Sequence, residues 1–170
     1  MQETNEPWVQ DKEYTKYTLW FIYACIIYSI IGFSWGAVMG GMPAFRELVS
    51  SSSGHRIVLA HAHINLLGWV EMAIFGAVYY LIPRLVRRPI HSLRLVKVHF
   101  WMHNFGLLGL VVFFTAAGLS GVYIMDDEVR GRTVSHFMAL AGSFGGLVLL
   151  ANIIWGYNIF RTTSGWSESR

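Results

Sequence analysis

Residues 61–85 read HAHINLLGWVEMAIFGAVYYLIPRL. They belong to an apolar run, 57–82, that stops at Pro83 and passes into an arginine-rich connection. A run of about 25 residues makes about 38 Å of helix, which crosses a hydrocarbon layer of roughly 30 Å with some tilt. Outward from this run the pattern repeats: uncharged apolar runs of similar length occupy 18–42, 98–124 and 134–160. Composition agrees, with 54% hydrophobic and 14% charged residues, against roughly 25% charged in a typical soluble domain. The sequence therefore predicts an all-α integral membrane protein with four transmembrane helices. It leaves no room for a soluble catalytic domain, and the same arithmetic excludes disorder. A single cysteine, Cys25, rules out a disulfide framework and a thiolate metal centre.

The connection 83–97 carries Arg84, Arg87, Arg88, Arg94 and Lys97 and no acid. Cationic loops stay on the cytoplasmic side, so four spans place both termini in the cytoplasm. Most of the net charge of +3 belongs to that loop, which reads as a topology signal and not as a nucleic-acid surface. A polar, net acidic segment, 1–17, precedes the first span and a short cytoplasmic tail, 161–170, follows the fourth. The first span is too long for a signal-peptide core. Gly32, Gly36 and Gly40 recur every fourth residue on that span, a stripe that admits close approach of another helix, in this chain or another.

Ionisable side chains within lipid are costly and point to function. His61 and His63 are two residues apart, about 200° around a helix, so their imidazoles point to opposite sides. They cannot grip one small ion together. Two opposed imidazoles suit two separate cofactors, and haem fits because its iron takes one imidazole from each face. Structural histidines bonded across helices are the other reading of the pair. His99 and His103 are four apart and share a face, a spacing that can form a second metal or haem site and that also serves structural or interfacial histidines beside a residue such as Lys97. His136 opens the fourth run and is equally ambiguous. Glu71 is the one acid within a span. It is either hydrogen-bonded to a neighbouring helix or a site of proton movement or ion binding.

The 61–85 stretch resembles the tenth transmembrane helix of the catalytic subunit of cbb-type haem–copper oxidases. There an HxH is followed by LGW, FG, a Tyr pair and a proline-basic exit. Val98-His99-Phe100-Trp101 resembles the opening of the eleventh helix, and Tyr157-Asn158-Ile159-Phe160-Arg161-Thr162 the close of the twelfth. The resemblance implies a haem–copper-oxidase-like arc of four helices in a prokaryotic cytoplasmic membrane. It implies that His61 corresponds to the ligand of the high-spin haem and His63 to that of the low-spin haem. Arg56, just outside the span, is a candidate partner for haem propionates. His63-Ile64-Asn65-Leu66-Leu67 also resembles the HTNLL-like ligand segment of the family's second helix. No span carries the histidines of the family's copper site, so no copper is expected, and oxygen reduction to water by this chain alone is not expected either.

Two functional expectations follow. The first is a membrane haem b protein, one haem per chain, that carries electrons or binds a small gas. Three four-helix arcs would rebuild the family's ring as a homotrimer, each haem lying between His61 of one copy and His63 of the next; a twofold dimer competes. The second is a subunit or assembly partner of a larger oxidase or NO reductase whose copper site is on another chain. A haem-free scaffold is the remaining possibility, against which the intact HxH argues. The lipid bilayer is the one partner the composition names, and no redox partner is identified. No CxxCH is present for covalent c-type haem attachment.

Overall fold

A computed structural model describes residues 11–164. Residues 1–10 of the expected amino-terminal segment and 165–170 of the expected tail lie outside the described residues. The described chain is entirely helical: α1 (Lys12–Gly41), α2 (Pro43–Ser50), α3 (His55–His63), a π-helical segment (Ile64–Val70), α4 (Glu71–Val86), α5 (Leu93–Tyr123) and α6 (Asp127–Ser164). α3, the π segment and α4 run on as one helix, giving four helices long and apolar enough to cross a membrane.

The helices outreach the apolar runs, for local reasons. Asp11 caps α1, its carboxylate accepting from the Glu13 and Tyr14 amides at 2.8 and 3.2 Å, so the helix starts in the polar segment. Ser92 caps α5 by accepting from the Leu95 amide. Beyond α1, the 43–53 stretch is more than a polar loop. Met42 is extended, Pro43 opens a new helix at its first position, and α2 follows.

Pro83 does not end its helix. α4 continues to Val86 and stops at Arg87, whose φ of 52° is left-handed. A proline inside a helix deprives the carbonyl four residues earlier of its donor. That carbonyl belongs to Tyr79, and the hydroxyl of Tyr14 donates to it from α1. The two tyrosines are buried, so Tyr14→Phe leaves an unsatisfied carbonyl and is expected to cost about 1–3 kcal/mol of bundle stability. In a Pro83→Ala background the residue-83 amide restores the helical bond, and the same change is expected to cost less than about 1 kcal/mol. Reversible unfolding in mixed micelles measures both arms of this cycle.

The α3 half of the second long helix packs on α5, whereas its α4 half packs on α1 and α6. α5 and α6 form an antiparallel hairpin, drawn close at Gly106 and Gly109. A Cβ on Gly109 would fall 2.1 Å from the Phe144 ring, which Phe105 and Phe113 flank at 5.3 and 5.4 Å. Two glycines of the α1 stripe meet the second helix of their own chain: a Cβ on Gly32 would strike Asn65, and one on Gly36 would lie 3.1 Å from His61, whereas Gly40 meets nothing within 4 Å. The core is aromatic, built on Phe21, Phe75, Tyr79 and Phe100. Large apolar side chains such as Ile27, Ile30 and Phe33 of α1 and Leu149, Ile153 and Phe160 of α6 point outward. This is an inverted surface suited to lipid, and the chain is an integral membrane protein.

Candidate functional site

His61 and His63 occupy the last turn of α3, directly before the π segment. Their rings diverge as the 200° separation requires. His61 faces α1, its ring 6.2 Å from that of Trp35 and against Gly36. His63 faces α5, its ring 5.1 Å from that of Phe114. Each is half-buried in a different seam, the first between α1 and α3 and the second between α3 and α5.

The two imidazoles are held differently. His63 Nδ1–H donates to the Leu59 carbonyl at 2.7 Å. That bond places the proton on Nδ1 and leaves the lone pair on Nε2, the arrangement that a metal-ligating imidazole uses. His61 is braced by Asn65, whose amide donates to the His61 carbonyl at 2.8 Å and lies 3.3 Å from the ring Nδ1. An apolar groove of about 430 Å³ is lined by Trp35, Val38, Phe45, Ile57, Thr115 and Leu119, and neither histidine is part of its wall. Arg56, which precedes Ile57 in the first turn of α3, has its guanidinium 3.5 Å from the Ser53 carbonyl. Among the described residues no carboxylate pairs with Arg56. The His63 imidazole, with its Nδ1–H held by the Leu59 carbonyl, and Arg56, two helical turns earlier and unpaired among the described residues, are donors of the kind that fit haem and its propionates.

His99 and His103 are not interfacial. Both are fully buried, with no exposure at all, because their shared face turns inward onto the second helix. The Tyr79 hydroxyl hydrogen-bonds His99 Nδ1 at 3.1 Å. His103 Nε2–H donates to the Leu67 carbonyl at 3.0 Å, and Glu71 Oε2 is 3.7 Å from the same nitrogen. The two rings stand 88° apart with centroids at 5.9 Å, and Phe75 packs against both. Among the described residues no group of three or more His, Cys, Asp or Glu side chains is gathered as a metal would require. His136 lies exposed on α6.

Two participants carried no sequence signal. Tyr79 appears in the sequence only as half of a Tyr pair, and nothing there marks it as the residue that is fully buried and bonded to His99. The π segment has no recognisable composition; its evidence is the Glu71 amide, which donates to Leu66 five residues back.

A family model described as Cytochrome C and Quinol oxidase polypeptide I matches residues 8–167. Relatives include the bacteroid cytochrome c oxidase subunit 1 homolog of Bradyrhizobium diazoefficiens, 28% identical over 81% of this chain and 27% of its own length. The Cbb3-type cytochrome c oxidase subunit CcoN1 of Stutzerimonas stutzeri is also 28% identical, over 81% of this chain and 31% of its own length. Cytochrome c oxidase subunit 1 of Rhodobacter capsulatus is 31% identical over 74% of this chain and 26% of its own. The chain thus spans between about a quarter and a third of the length of these relatives. With a match over every residue described, it belongs to the cytochrome c and quinol oxidase polypeptide I family of the haem–copper oxidase superfamily.

Proposed function

We propose that the chain is a membrane haem b protein of a prokaryotic cytoplasmic membrane, with the basic loop and both termini on the cytoplasmic side. Bound haem would supply a one-electron couple or a site for NO, CO or O₂. His61 and His63 would hold it. The observation that carries this reading is the His63 tautomer: the bond to Leu59 leaves Nε2 free to ligate. The opposed directions of the rings support two different haem contacts per chain, hence one haem between His61 of one copy and His63 of the next. Three arcs closing by rotation satisfy that requirement. Gly142 and Gly146, which meet nothing within 4 Å, leave α6 a bare stripe for another helix.

Optical spectra of the purified protein, oxidised, dithionite-reduced and with CO, test this reading. Sharp reduced bands unaltered by CO indicate two imidazoles and electron transfer; a CO-induced shift indicates an open position. A haem-free monomer refutes it. Arg56→Gln is expected to weaken haem retention about tenfold by removing a charge-assisted bond, without changing the ligation spectrum.

The second reading is a subunit or assembly partner of a larger oxidase or NO reductase, in line with the printed names of the relatives, which are oxidase subunits. In that reading another chain brings the copper ligands, and co-purification identifies it.

A further inference from the structure

Lys12, Lys16, Trp20, Tyr23, Ile27 and Ile31 recur at helical spacing and share one face of α1. Two grooves follow that face. The first, of about 540 Å³, has Lys12, Thr15, Lys16, Leu19, Trp20 and Tyr23 as its wall. The second, of about 560 Å³, is cut between α1 and α5, with Ile27 and Ile31 on one side and Trp101 and Leu108 on the other. Trp20 and Tyr23 belong to both walls, so the two grooves make one site with a cationic head and an apolar stem. The head lies at the basic-loop end, where Glu13 of α1 pairs with Lys97 of α5.

The head has charge to spare. Lys12 and Lys16 are exposed and, among the described residues, pair with no carboxylate. The neighbouring acids are committed, Glu13 to Lys97 and Asp11 to the amides of Glu13 and Tyr14. Lys16 Nζ lies 4.6 Å from the centroid of the Trp20 ring, a cation–π contact that holds the ammonium at the mouth of the stem. Midway along the stem the polar groups are already engaged. The Tyr28 hydroxyl donates to Asn104 Oδ1 at 2.8 Å, and the Asn104 amide donates to the Phe100 carbonyl at 2.7 Å. That part of the groove suits hydrocarbon better than a polar ligand.

Length selects the occupant. From Trp20 to Ile31 the stem follows about 16 Å of helix, and one leaflet of a roughly 30 Å hydrocarbon layer is about 15 Å thick. Trp20, Tyr23 and Trp101 stand where the stem begins, as amphipathic rings do at the headgroup level. A partner helix would need a seam through both leaflets, whereas this stem ends at Ile31 and Leu108.

We propose that this face holds one anionic diacyl phospholipid from the leaflet at the basic-loop end. Its phosphate sits between Lys12 and Lys16 beside the Thr15 hydroxyl, and one acyl chain lies along the groove between α1 and α5. The arginines of the adjoining loop enrich such lipids nearby, and haem ligation is not required.

Native mass spectrometry of the full-length protein, incubated in detergent with phosphatidylglycerol or with phosphatidylcholine of the same acyl chains, tests it. The expected result is one phosphatidylglycerol retained per chain under conditions that strip phosphatidylcholine. One lysine near an anionic headgroup is worth about fivefold in binding, so Lys12→Gln with Lys16→Gln should weaken retention about 25-fold. Arg87→Gln with Arg88→Gln, which removes two loop cations outside the groove, should change it less than about twofold. Leu108→Trp, which fills the stem, should lower retention with both lysines in place. Without any substitution, retention should fall as salt is raised. Equal retention of the two lipids, displacement of the lipid by inorganic phosphate, or an equal loss in the loop variant would each overturn the proposal. So would a Leu108→Trp protein that keeps its lipid but loses its oligomeric mass, since another copy would then occupy the groove.

Discussion

Purified His63→Ala protein is expected to show no six-coordinate, low-spin haem, and His61→Ala is expected to show the same loss. Removing an outer-shell partner of a ligand typically costs 10–100-fold in metal affinity, so removing the ligand itself should reach or exceed about 100-fold. The symmetry of the result is its informative part. If each haem lies between His61 of one copy and His63 of another, either change breaks every haem site. A twofold assembly that uses the same residue from both copies makes one substitution nearly silent. Leu59 adds a finer expectation. Its carbonyl fixes the His63 proton on Nδ1, so His63→Gln, which keeps the polarity but not the ring, should lose haem as His63→Ala does. Reduced-minus-oxidised spectra and haem-to-protein ratios measure all three variants.

Phe75→Ala is expected to be the most destabilising single change in the bundle, at about 3–5 kcal/mol. The ring is 2% exposed and packs against Phe21, His99, His103 and Trp155. Its loss leaves a cavity walled by α1, α5 and α6 together, which cannot close by the shift of one helix. Phe75→Leu fills most of the volume and should cost clearly less. Reversible unfolding in mixed micelles ranks the two against the unsubstituted chain. The cavity would also have polar walls, so water entering it should recover part of the loss. A larger effect of Phe75→Ala when His99 and His103 are both replaced by leucine would show that recovery.

Much of the fold is legible because the strongest term, the transfer of apolar side chains into lipid, is written as run length. The four spans follow from that alone. Their ends are less legible, because caps and prolines act through partners. Pro83 looks like a stop until Tyr14, 69 residues earlier by the numbering, supplies the donor its neighbour lacks. At the site, the divergence of His61 and His63 follows from helical geometry, whereas the bracing by Leu59 and Asn65 is set by how the side chains pack. His99 and His103 misled for a related reason. Their closeness to Lys97 suggests an interface, but Lys97 turns outward to pair with Glu13 while the histidines turn in. A helix puts neighbours in sequence on different faces, and only packing decides which face is inside.

The π segment between the histidines and Glu71 sets the phase between two halves of one helix. A π-turn is in effect an α-helix with one residue inserted. Deleting Leu66, which is 60% exposed, would let the segment close as an ordinary α-helix and turn everything beyond it by about 100°. Either His61 and His63 would keep their seams or Glu71 and Tyr79 would keep theirs, but not both. The two sets of seams are therefore held in alignment by a single surplus residue, and a one-residue deletion there would separate them without touching either.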